Sequence, residues 1–549
     1  MITKEAEKAE LFNEYFSSVF TNEEVNEMPL LNIEFSETLL ETIEIKLEKI
    51  EKELKLLNIS KAAGPDNIHA RVLFELRDVL ITPLYNIFTI SMKQGSLPSK
   101  WKHAYVKPIF KKGSKHTVSN YRPVSLTSVC CKILERIIRN EIVNHLESKN
   151  ILTDCQYGFR QGRSCCLQLL EIMEIWSKMI DDNIPWDCIY LDFAKAFDKV
   201  PHKRLNLKLQ ACGIGGNLLK WLTSFLTGRF QQVVIGESIS TKKEVTSGIP
   251  QGSVLGPILF IIYINDLPNE VDSYVRIFAD DTKIFKAIKT HEDQAQLQFD
   301  IIRIIEWSKK WQLPFNIDKC CVMHYGYSNV NADYHMNTIN ISEENLQRDL
   351  GINFDSNLKF SKHIGVITKK ANSRLGIIKR TFQSLSPDIF LPLYKTLVRP
   401  ILEYCSCVWS PMLKKDMIEI EKVQRRATKM VKGFNTMEYN ERLYRLNLDS
   451  LHFRRKRGDL LQVYKILKGI ENIESNKFFS INQDRTRGHC LKLFKKQSNC
   501  NLRLHSFSQR VIKDWNGLNE ETVRCETLNS FKTALKREWC LHPERYDMP

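Results

Sequence analysis

YVRIFADDTKIF, residues 274–285, decides how this chain is read. Its two arms are rich in β-branched and aromatic residues, and Ala279-Asp280-Asp281 interrupts them, so the stretch predicts a β-hairpin with two carboxylates at its tip. Cys188-Ile189-Tyr190-Leu191 predicts another apolar strand, and it too ends on a carboxylate, Asp192. Short apolar runs of this kind suit strands covered on both faces. Carboxylates that converge at the edge of one sheet repel each other, and their pKa values rise unless a cation neutralises them. Mg²⁺ suits such a place, because it takes oxygen ligands and is held by one or two carboxylates together with substrate phosphates. Two such ions about 4 Å apart can activate an attacking hydroxyl and stabilise a departing oxygen in phosphoryl transfer. Taken alone, Asp-Asp fits an ordinary turn as well, since Asp favours turns.

Outward from this core, 203–212 predicts a helix that closes at Gly213. Between Ile81 and Leu134 there is no Asp or Glu, yet the stretch carries Lys107, Lys111, Lys112, Arg122 and five further lysines. A solvated face mixes signs, so a one-sided run points to phosphates. Trp101, Tyr105, Phe110 and Tyr121 are interleaved there and suit base stacking or core packing equally. Residues 1–60 are acidic and helical in pattern, interrupted near Met28-Pro29, and the chain beyond about 360 is helical and basic. The cluster 454–457, RRKR, fits a nuclear signal or a solvated helix face. Over 549 residues the formal net charge is +16, which implies a polyanionic partner. The start is too polar for a signal peptide, and the longest apolar run, within 254–264, is short of the ~20 residues of a membrane span. A soluble, intracellular protein is expected. Fifteen cysteines include adjacent pairs but no CxxC, so free and mostly buried thiols are expected.

The motifs come in a definite order: GPDNIHARVL (64–73), VKPIFKKGSKHTVSNYRPVSL (106–126), QYGFRQGRS (156–164), YLDFAKAFDKVPH (190–202), SGIPQGSVLGPILF (247–260), FADD (278–281), PFNIDKC (314–320) and DLGINFD (349–355). This succession resembles the finger and palm motifs of reverse transcriptases, and more narrowly those of the jockey-like group of non-LTR retrotransposons. The likeness continues more loosely through RTRGHCLKL (485–493) and RVIKDWNGLNEETV (510–523). It implies an α+β right-hand polymerase of fingers, palm and thumb with a helical basic C-terminal region. The expected parts are a helical extension over 1–60, fingers and palm over 61–365 (core about 91–363), a thumb-like region over 366–470 and a tail over 471–549.

The same resemblance implies roles. Asp192, Asp280 and Asp281 become the catalytic acids, holding two Mg²⁺ ions (Mn²⁺ as a substitute) with the backbone carbonyl of Phe193. Lys319 takes the place of a lysine that protonates leaving pyrophosphate. Arg122 and Lys107 meet the incoming triphosphate, and the planar donors of Arg grip phosphate oxygens in pairs. Phe197 stands where an aromatic ring excludes a sugar 2′-hydroxyl. Gln251 and Gly252 line the nucleotide pocket and let template backbone approach, glycine lacking the side chain that would block it. Lys111, Lys112, Arg160, Arg163, Arg425 and Arg426 are candidate contacts to template or primer. Pro314 replaces a more usual polar residue and is expected to bend a strand leading to Lys319. The implied partners are an RNA template, a DNA primer or target and deoxynucleoside triphosphates, with no membrane. Relatives carry an endonuclease before the polymerase, and whether a separate one acts in trans is left open by the sequence; function in the nucleus is expected, with the cytoplasm as the alternative. A binding-only remnant, and a maturase or telomerase-like enzyme of the same fold, are the rival readings.

Overall fold

The computed structural model describes residues 3–24, 28–29, 39–482 and 488–541. All six residues of the strand Trp186–Leu191 are buried, as the apolar run Cys188–Leu191 requires, and Asp187 is satisfied there by His324, Asn329 and Tyr334. It is the middle strand of a five-stranded sheet, ordered Ser342–Glu343, Cys321–Tyr325, Trp186–Leu191, Asp281–Ala287, Tyr274–Phe278. Side chains alternate across a strand, and here the alternation sorts them into two cores. Ile189 and Leu191 join a cluster drawn from the N-terminal two thirds of the chain. Trp186, Cys188 and Tyr190 join one with Trp176 and the helices beyond residue 352. Tyr190 pairs with Lys283 and Leu191 with Thr282, so the next step along the strand brings Asp192 alongside the hairpin tip.

A second sheet is formed by Tyr121–Leu126, His103–Phe110, Arg229–Ile235 and Ser238–Ile239, with Lys243–Val245 on the third strand. The helix Glu5–Ser17 lies against it, burying Ala9 and Phe16 on Val106 and Val233. The expected helical character of 1–60 is met there and in Leu47–Lys55; residues 25–27 and 30–38, beside the expected break, lie outside the described residues. Lys203–Cys212 is observed as the helix His202–Ala211, and Gly213 follows with a left-handed φ of 76°.

Four expectations need correcting. The boundary at 365/366 falls inside the helix Ser361–Thr381, which packs as one piece, so a physical division lies before Ser361. The described residues of the tail, 471–482 and 488–541, are no separate unit: Phe478, Phe507 and Trp515 share the second core, and Arg503 donates to Glu174 on the helix Cys165–Asp181 at 2.6 Å. No strand leads to Lys319. Pro314 instead lends its carbonyl to the Ala194 amide at 2.8 Å, and a short 3₁₀ turn, Ile317–Lys319, follows. The fourteen described cysteines are free thiols and seven are buried, fewer than expected. Among the described residues no helix is long and apolar enough to cross a membrane. Arg485, Thr486 and Arg487 of the RTRGHCLKL motif lie outside the described residues.

Candidate active site

The hairpin tip is a two-residue turn, Ala279-Asp280, between the paired Phe278 and Asp281. Ala279 carries φ 55°, which matches strand twist but strains a residue with a Cβ, at about 1 kcal/mol or more. The QYG segment holds it there. Gln156 Oε1 accepts from the amides of Ala279 (3.0 Å) and Gly158 (2.7 Å). Tyr157 N–H donates to Ile277 O, and Ile277 N–H to Cys155 O, at 2.8 and 2.9 Å. A Cβ on Gly158 would stand 2.5 Å from the Ala279 nitrogen, so only glycine lets the brace close. Sequence reading gave Gln156 no role, because an isolated glutamine carries no local signal.

Below the second sheet a cleft of about 550 Å³ opens onto Asp192 and Asp280. Phe193, Phe197, Gln251, Gly252, Lys111, Arg122 and Lys319 line it as well. Phe197 stacks on Phe260, ring centres 4.5 Å apart, which fixes its aim. Gln251 donates to Asp198 Oδ1 at 2.7 Å, and burial pushes the Asp198 carboxyl up to about 6. Gly252, at φ 108°, makes room for the chain's own Ser125, whose carbonyl oxygen would lie 2.8 Å from a Cβ; the close approach expected of a template is made by the protein. The bridge between Phe193 and Phe315 uses Asn316 N–H on Asp192 O and Ala194 N–H on Pro314 O, leaving the Phe193 carbonyl outside the ladder.

The charges are unevenly matched. Burial, and then Asp192, raise the Asp280 carboxyl above its usual range. Burial, then Asp280 and Asp349, push Asp281 up to about 6. Behind the hairpin, buried Lys283 pairs with Asp349, which gives the first aspartate of the DLGINFD motif a partner. Lys319 Nζ sits 3.0 Å from Asp192 Oδ2, with both side chains open to solvent. Desolvation, with Arg122 and Lys319 close by, lowers the Lys111 ammonium. Among the described residues no group of three or more His, Cys, Asp or Glu side chains is gathered closely enough to hold a metal ion by itself. The donor set nevertheless fits a hard divalent cation. Asp192 and Asp280 line the open cleft while Asp281, next in the chain, lies outside its lining; their mutual repulsion calls for positive charge, and Mg²⁺ ordinarily leaves positions for substrate phosphates.

Other candidates stand elsewhere. Lys107 lines a separate cleft with Phe12 and Tyr121, and Lys111 takes the place beside Arg122. Lys112 is exposed beyond the strand end. Arg160 is 9% exposed and grips both oxygens of Glu147, Nε at 2.9 Å and Nη2 at 2.7 Å; Arg163 is tied to Asp154 and lies over the Tyr157 ring. Both arginines therefore brace the loop, and their donors face protein where nucleic-acid contacts were expected. Arg425 and Arg426 are exposed on the helix Lys414–Thr428. The residues sequence reading missed are Tyr15 and Lys195, joined by a 2.6 Å hydrogen bond at the cleft wall, and Asp198.

Residues 109–365 match the family described as reverse transcriptase (RNA-dependent DNA polymerase). The chain is 28% identical over 399 residues to the probable RNA-directed DNA polymerase from transposon X-element of Drosophila melanogaster, across 70% of this chain and 44% of that one. It is likewise 28% identical over 407 residues to the RNA-directed DNA polymerase from mobile element jockey of the same fly, across 71% and 44%. To the Pol polyprotein of the type-1 retrotransposable element R1 of Bradysia coprophila it is 23% identical, across 68% and 38%. The chain thus spans less than half the length of these relatives.

Proposed function

We infer from a chain whose residues 109–365 are a reverse transcriptase domain that the protein is an RNA-directed DNA polymerase of the non-LTR, jockey-like kind, extending a primer 3′-hydroxyl on an RNA template. The observation that carries this reading is the cleft: carboxylates on a central sheet, faced by cations and an aromatic ring on one small cavity. In this reading the sheet with Asp192 is the palm, the sheet with Arg122 the fingers, and the helices from Ser361 onward the thumb.

Asp192, Asp280 and Asp281, with the Phe193 carbonyl, would hold two Mg²⁺ ions, which when bound supply activation of the primer hydroxyl and neutralisation of charge on the leaving oxygen. Arg122 and Lys111 bind the triphosphate, Arg122 by paired donors. Phe197, fixed by Phe260, occupies the space a ribose 2′-hydroxyl needs. Lys319 is held by an exposed ion pair worth about 0–1 kcal/mol, so it exchanges Asp192 cheaply for a leaving pyrophosphate and can give it a proton. Tyr15 and Lys195 close the cleft on the side of the N-terminal helix.

Incorporation of dTTP on poly(rA)/oligo(dT) tests this. Synthesis should require a divalent cation and stop with omission of the RNA strand. Folded protein that binds the duplex and incorporates nothing would move the reading to a binding remnant.

A further inference from the structure

Two stretches without a task in polymerisation, the basic run 454–457 and the mixed-charge motif 510–523, meet in space. The helices Leu451–Leu467 and Phe507–Asn516 pack together, and between them, with Ser410 and Pro411 at one side, lies a cavity of about 540 Å³. His452, Arg455, Lys456 and Asp459 recur at three- and four-residue spacing and so share one helix face; Arg510, Lys513 and Asp514 do the same opposite.

Most of these charges are matched. Both Asp459 oxygens accept from Arg510, Nε at 2.9 Å and Nη2 at 2.8 Å. Asp514 stands 3.6 Å from Lys456 Nζ. Arg454, next in the basic cluster, is taken up by Glu403, so the cluster is a built helix face and not a loose basic peptide. Arg455 is the exception. It is 4% exposed, and among the described residues neither Nη1 nor Nη2 has a hydrogen-bond partner. The nearby carboxylate of Glu421 is occupied by Tyr439 and by the amides of Leu451 and His452. His452, 8% exposed, has an unpartnered Nε2 on the same cavity. A buried guanidinium without acceptors is costly, and its planar fork matches the oxygens of a phosphate.

We propose that this cavity is a phosphate-binding site, remote from the carboxylate cleft, that takes one backbone phosphate of a nucleic-acid strand on Arg455, His452 and the exposed Lys513. The excess positive charge left by the pairings, on Arg455 and Lys513, suits a single phosphodiester. Burial lowers His452 to about 4, so at neutral pH it serves as a neutral donor. The inference does not rest on the polymerase reading.

The test uses the full chain, with inorganic phosphate against chloride at matched ionic strength in thermal melts, and a labelled single-stranded RNA in anisotropy across a salt series. Phosphate should raise the Tm of wild type and leave Lys513→Glu and Arg455→Gln unmoved. RNA affinity should fall about fivefold or more in both, with a salt slope shallower by about one. Lys513→Glu, a change at an exposed rim, keeps the test valid if Arg455→Gln does not fold. Equal phosphate responses in wild type and Lys513→Glu, or none in either, would overturn the site. A phosphate response confined to wild type with unchanged RNA binding would overturn the strand as ligand, assigning the pocket to a free phosphate compound.

Discussion

Arg122 ends exposed in the carboxylate cleft, whereas Arg160, from an equally basic motif, ends inside the protein with one edge of its guanidinium on Glu147 and Nη1 on the Thr153 carbonyl. The acids divide in the same way. Glu147 is matched by Arg160, while Asp280 and Asp281 are pushed upward by burial and then by like charge. Framework charges are satisfied where they stand, and cleft charges are left to be satisfied by something that arrives. Substitutions in the first group should therefore cost stability and leave chemistry alone, and those in the second should do the reverse.

The largest effect should come from Asp192→Ala or Asp280→Ala. If bound metal provides at least ~4 kcal/mol of transition-state stabilisation, single-turnover extension slows about a thousandfold or more, with an unchanged far-UV spectrum. Arg122→Ala should lower kcat/KM for dTTP by about 100-fold without moving the Tm, as loss of a charge-assisted phosphate contact does. Phe197→Ala should raise incorporation of UTP relative to dTTP by about tenfold or more, because removing the ring opens the space beside the sugar. Arg160→Ala should behave as framework: about 3 kcal/mol lost in urea unfolding, because Glu147 and the Thr153 carbonyl lose their donors, with little change in extension at a temperature where the variant is folded.

The smallest effect is the most specific to the crowded acids. A carboxyl raised on folding binds more protons in the native state than in the unfolded one between its two pKa values. Stability from Asp281 is thus greatest in acid and falls as pH rises from about 4 to about 6. In metal-free protein at pH 7.5, Asp281→Asn should raise the Tm, by about 2 °C, and flatten that part of the pH profile. Added Mg²⁺ should raise the Tm of wild type and not of the variant.

How much of this was legible in sequence follows from the reach of each interaction. The strand ending at Asp192 and the hairpin at 274–285 were readable because apolar runs and turn residues are local signals. Their register was not, since it depends on which strands pair. The Gln156 brace on Ala279 joins segments 123 residues apart, and Arg160 finds its partner in a helix upstream of its own loop. Lys107 and Lys111 looked alike in a single acid-free run, yet four residues of extended chain, about 13 Å, put them in different clefts. Tyr15 enters the cleft wall because the N-terminal helix packs on a strand more than 200 residues away, and no periodicity reports that.

The central claim, RNA-templated DNA synthesis by the aspartates of this cleft, is met most directly by comparing wild type with Asp280→Asn plus Asp281→Asn on poly(rA)/oligo(dT) with dTTP and Mg²⁺, at matched duplex occupancy. The account predicts extension by wild type alone, with duplex affinity the same in both. Extension at comparable rates by both proteins would contradict it.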